Sequence, residues 1–61
     1  MNTIYYKDYK IVEKEYYNGN ILYDIIYTLY DKNGRFLSNY YGTLENVKKD
    51  INDFWLKNYT C

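Results

Sequence analysis

Apolar and polar positions alternate with a period of two through the middle of the chain, then switch to a helical period near its end. The clearest alternation runs from Ile21 to Asp31. Ile21, Tyr23, Ile25, Tyr27 and Leu29 fall on one face of a strand, and Leu22, Asp24, Ile26, Thr28 and Tyr30 on the other. The first set carries no charge and is therefore the expected core face. An earlier run, Tyr9 to Tyr17, mixes β-branched and aromatic residues with charges, as a half-exposed edge strand does. Within it Lys10 and Lys14 share a face with Val12 and Tyr16, and their stems can cover apolar surface while the ammonium groups reach water. Asn18-Gly19 lies between the two runs and is the preferred dipeptide of a tight hairpin turn.

The stretch Asp31-Lys32-Asn33-Gly34 sets the register of a third strand, Arg35 to Tyr41. A two-residue turn at Asn33-Gly34 would put Lys32 opposite Arg35, two like charges face to face. A type I turn over Asp31-Lys32-Asn33 with Gly34 in a bulge puts Asp31 opposite Arg35 instead, and suits the preference for Asp at the first turn position and Gly at the fourth. This second reading predicts Leu37 beside Leu29 and Tyr41 beside Ile25 on the core face. Phe36 then faces Tyr30, and Tyr40 faces Ile26, on the opposite face.

Gly42 ends the third strand. Thr43 is a good helix N-cap, and Glu45 places a carboxylate in the first turn. Leu44, Val47, Ile51, Phe54 and Trp55 recur at helical spacing, with Tyr59 a further candidate, while Glu45, Lys48, Lys49, Asp50, Asn52 and Asp53 fill the polar side. The expected architecture is one small α+β domain over residues 1–61: a three-stranded antiparallel meander packed on one C-terminal α-helix, β-β-β-α. The opening segment, with Ile4-Tyr5-Tyr6, reads as a frayed start, an extension of the first strand, or a cover for the second face of the sheet.

A chain of 61 residues buries little surface, and a core of this size rarely supplies more than roughly 3–5 kcal/mol. Cys61 is the single cysteine and histidine is absent, so neither a disulfide within the chain nor a structural zinc site is expected. Packing, alone or with a second subunit, has to hold the fold, and a homodimer is one option. Eight Lys and Arg balance eight Asp and Glu, which removes the electrostatic case for a dedicated polyanion binder. No apolar run approaches the roughly 18 residues of a membrane helix and no signal-peptide core follows Met1, so no membrane association and a cytoplasmic location are expected. The sequon Asn58-Tyr59-Thr60 therefore carries little weight. Proline is absent, Arg35 is the only arginine, and Asn, Lys, Tyr and Ile dominate. These are residues of A/T-rich codons, which suggests a low-GC bacterium or one of its mobile elements.

Candidate chemistry is sparse. Asp50 with Asp53 on the helix, and Glu13 with Glu15 on a strand, read most simply as solvated surface charge. The Asp31–Gly34 stretch lacks the twelve-residue ligand series of a calcium loop. Cys61 has no base to activate it, and no phosphate cradle or nucleophile elbow is present. Neither enzyme activity nor a cofactor is expected. Tyrosine, at 11 residues, is the anomaly. Strand propensity accounts for about half of these. Leu22, Ile26, Tyr30, Phe36 and Tyr40, however, gather on the second sheet face with no second helix to cover them. Such a patch is a candidate protein-binding surface, since Tyr supplies large contact area at low entropy cost.

In size, composition and architecture the whole chain resembles small phage and mobile-element inhibitor proteins of the anti-CRISPR type. That resemblance implies stoichiometric blocking of a bacterial defence complex through Tyr30, Phe36, Tyr40 or an exposed strand edge. The residues Tyr30, Gly34, Arg35 and Phe36, followed by Gly42-Thr43-Leu44 at the helix entry, are similar to the arm-type DNA-binding domain of tyrosine recombinases, whose sheet enters the major groove. This implies nucleic-acid contacts from Lys10, Lys14, Lys32 and Arg35, with aromatic stacking on a single strand as the variant that needs least charge.

Overall fold

Lys7 and Asp8 both adopt positive φ, 49° and 70°, and turn the chain so tightly that Tyr6 lies opposite Tyr9. Two consecutive positive φ values are the signature of the turn that matches the right-handed twist of a hairpin. The opening segment is therefore a strand, β1 (Asn2–Tyr6), and the sheet has four strands where three were expected. The turn was hidden because Lys-Asp lacks the glycine that normally marks it. The computed structural model describes residues 2–58. After β1 come β2 (Tyr9–Asn18), β3 (Ile21–Tyr30) and β4 (Phe36–Tyr41), an antiparallel meander in sequence order. The β2–β3 hairpin closes on the pair Asn18 and Ile21, so its turn residues are Gly19-Asn20, one position later than the expected Asn18-Gly19.

The β3–β4 turn follows the predicted chemistry. The Gly34 N–H donates to the Asp31 carbonyl, and the Asp31 N–H to the Arg35 carbonyl, each at 3.0 Å. One Asp31 carboxylate oxygen accepts the Asn33 and Arg35 N–H groups at 2.9 Å, and the other lies 3.9 Å from the Arg35 guanidinium. Hydrogen bonds to a charged group contribute roughly 1.5–3 kcal/mol each before other losses. Asp31→Ala should therefore lower stability by about 2 kcal/mol, measured by urea unfolding. Asp31→Asn, which keeps an acceptor, should lose less.

A helical segment crosses one face of the sheet: α1 (Leu44–Asp50), a π-helical turn (Ile51–Trp55) and α2 (Leu56–Asn58). Thr43 occupies the N-cap position with extended backbone, but its hydroxyl makes no capping bond. Tyr9, Ile11, Tyr27, Leu29, Val47 and Ile51 form the buried core, with Ile4, Tyr6, Ile25, Leu37, Tyr40, Leu44, Trp55 and Leu56 packed around it. The π turn spreads its residues more widely than an α turn, so the apolar stripe passes from Ile51 to Trp55 and Leu56. Phe54, expected on that stripe, is instead 49% exposed and its ring stands nearly perpendicular to that of Trp55, with centroids 4.8 Å apart. Tyr59 lies outside the described residues.

Polar contacts tie the helix to β1. Asn52 donates to the Tyr6 hydroxyl at 3.0 Å and accepts from Lys7 at 2.6 Å. The Tyr6 ring lies near two ammonium groups, Lys7 at 5.4 Å and Lys48 at 5.3 Å from its centroid. The helix covers only part of the sheet, because β2 and β3 run on past the ends of β1 and β4, which stop at Glu13 and Ile26. Ile21 and Tyr23 sit on this extension and are exposed, whereas Ile25, Tyr27 and Leu29 of the same expected core set face the helix.

Candidate functional site

The face of the sheet turned away from the helix has no covering element among the described residues. Strand pairing assigns its members row by row. Tyr5, Lys10, Tyr30 and Phe36 form one row across all four strands. Thr3, Val12, Thr28 and Asn39 form the next, and Lys14, Ile26 and Tyr41 the third. Thr28 in the centre is buried and donates its hydroxyl to Asn39 at 2.8 Å, which seals the middle of this face. Around it Tyr5, Phe36 and Tyr41 are 73%, 54% and 65% exposed. The Tyr30 ring meets Phe36 edge-on at 6.3 Å, and the Lys10 ammonium lies 5.6 Å from the Tyr30 centroid.

Of the expected patch, Ile26, Tyr30 and Phe36 are together on this face. Leu22 and Tyr40 are not, and both departures have one cause. Each bulge adds a residue to one strand, and a one-residue slip turns the rest of that strand to the other side. At Leu37 the β3–β4 register shifts, so Tyr40 pairs with Tyr27 on the helix side and Tyr41 with Ile26 on the open side. At Tyr23 the β2–β3 register shifts, so Leu22 pairs with Tyr17, on the opposite side from Tyr16. Tyr41 and Tyr5 thus belong to the open face and were missed. Tyr41 is expected one position out of register, and Tyr5 lies in a segment for which the sequence predicts no strand of its own.

Tyr40 has a structural task instead. Its hydroxyl accepts the Trp55 indole N–H at 2.8 Å. Burial is the main reason its pKa is raised above the ordinary tyrosine value; Asp50 adds to this, while the Trp55 hydrogen bond opposes it. The Tyr27 hydroxyl donates to Glu13 at 3.2 Å, and its pKa is raised first by burial and then by that carboxylate. Tyr17 is raised chiefly by the charge of Glu15, to which it donates at 3.2 Å. All three phenols therefore remain protonated at neutral pH and act as hydrogen-bonding groups.

The four expected nucleic-acid contacts divide. Lys10 and Lys14 stand on the open face, whereas Glu13 and Glu15 alternate to the helix side. Lys32 and Arg35 lie at the β3–β4 turn beside Phe36. Lys32 also lines a cleft of about 300 Å³ with Lys7, Asp8, Tyr9, Asp31, Asn33 and Leu56. That cleft sets two carboxylates against two ammonium groups, and the described residues contain no cluster of three or more metal-ligating side chains. No described helix is long and apolar enough to cross a membrane. Cys61 lies outside the described residues. The chain matches no protein-family model, and neither the curated proteins nor the solved structures contain a match to it.

Proposed function

We propose that this chain is a non-enzymatic protein-binding module whose working surface is the open face of its sheet. Its action is then stoichiometric occupation of a partner, in the manner of a phage or mobile-element inhibitor acting on a bacterial defence complex such as CRISPR–Cas. The observation that carries this reading is the set of exposed Tyr5, Phe36 and Tyr41 with half-buried Ile26 and Tyr30, on a face that no described element covers. The set lies in two rows on either side of Thr3, Val12, Thr28 and Asn39, and large exposed side chains grouped on one sheet face mark a contact surface. The rings are anchored on paired strands, so little order has to be created on binding.

Phe36→Ser combined with Tyr41→Ser tests the surface, because both side chains are exposed and neither is in the core. With the circular dichroism spectrum unchanged, the double variant should retain a partner captured from bacterial lysate at least tenfold less well. Equal retention would remove this face as the site.

A second reading, single-stranded nucleic-acid binding, is favoured by one observation: Lys10 and Lys14 share the open face with the aromatic rings while the neighbouring glutamates do not. Titration of labelled oligothymidine at low and moderate salt separates the two. Binding that falls steeply with salt and weakens with Lys10→Ala would transfer the open face to nucleic acid.

A further inference from the structure

We propose that two copies of the chain pair through the outer edge of β2, from Glu15 to Tyr17, about a two-fold axis at Tyr16. The inference is independent of what binds the open face. It begins with β1, which ends opposite Glu13 and leaves Lys14–Asn18 without a neighbour on that side among the described residues. The two-residue turn makes Tyr6 and Tyr9 an exchanging pair, and antiparallel hydrogen bonding then alternates along β2. Tyr9, Ile11 and Glu13 direct their backbone groups toward β1. By the same alternation Glu15 and Tyr17 direct theirs outward, into the space beyond the end of β1.

Self-pairing about Tyr16 uses these groups without remainder. Glu15 comes opposite the second copy's Tyr17, and Tyr17 opposite the second copy's Glu15, so each N–H and C=O finds a partner. Tyr16 meets its own counterpart in a non-hydrogen-bonded pair, where side chains approach most closely. Lys14 falls opposite Asn18, so no like charges face each other across the axis. The other edge of this extension is a poorer template, since the extra residue at Tyr23 breaks its spacing, as does Leu37 on β4. β2 carries no such insertion. Tyr16, Tyr17 and Leu22 are all exposed here. A two-stranded ribbon on its own is marginally stable in water. The pairing would make it part of one continuous sheet running through both copies.

Tyr16 is the residue that opposes itself, which provides a test specific to this register. Sedimentation velocity on the full chain from about 5 µM to 1 mM should show a concentration-dependent dimer. Tyr16→Lys and Tyr16→Glu, each alone, place like charges across the axis and should weaken association at least tenfold while keeping the native circular dichroism spectrum. An equimolar mixture of the two variants should associate again, because an ammonium group then meets a carboxylate across the axis. A native chain that stays monomeric at 1 mM overturns the proposal. So do single variants that dimerise as the native chain does, and a mixture that fails to recover.

Discussion

Leu29→Ala should leave the protein largely unfolded at 25 °C. Leu29 lies on the central strand β3, has no solvent exposure, and is paired with Ile11 and Ser38 under Val47 and Ile51. Truncating a buried leucine removes its transfer free energy and leaves a cavity that the neighbours fill only in part. The loss is about 2–5 kcal/mol. A core of this size rarely supplies more than roughly 3–5 kcal/mol in all, so the loss is comparable with the whole. Far-UV circular dichroism against urea should show no native baseline for the variant. The contrasting substitution Ile21→Ala, on the exposed extension, should change stability by less than about 0.5 kcal/mol. Comparable unfolding midpoints for the two variants would contradict the placement of the core.

This contrast also marks how far the sequence could be read. Ile21, Tyr23, Ile25, Tyr27 and Leu29 form one uninterrupted alternation, yet only the last three face the helix. Alternation tells which residues share a side while a strand is regular; it does not tell where the covering helix ends or where a bulge intervenes. The β3–β4 turn was legible because Asp31 and Gly34 have turn preferences with direct physical causes, and the observed hydrogen bonds follow them. Lys7-Asp8 has no comparable signature, and the first strand was hidden with it. Ile26, Tyr30 and Phe36 of the candidate surface lie between the two irregularities and were placed correctly. Leu22 and Tyr40 lie beyond them and were not. At the helix the same error recurs in another form, since one π turn carries Phe54 out of the apolar stripe.

Gly42→Ala should cost about 1–3 kcal/mol through backbone strain alone, the second largest loss expected from a single substitution. Gly42 joins β4 to the helix with φ +109°, a conformation that L side chains rarely adopt. A Cβ placed there would meet only the Asn46 side-chain nitrogen at 3.5 Å, an ordinary contact. Crowding is therefore not the cause, and the sign of φ is. Chirality separates the two explanations. A synthetic chain with D-alanine at position 42 carries a methyl group of the same size but prefers positive φ. It should be as stable as the native chain or gain about 0.4–1 kcal/mol, because it restricts the unfolded state. Urea unfolding of the L- and D-alanine forms should thus move in opposite directions, or differ by at least the strain cost. Equal destabilisation by both would overturn the assignment of the cost to the sign of φ, since the two methyl groups point in different directions from the same backbone.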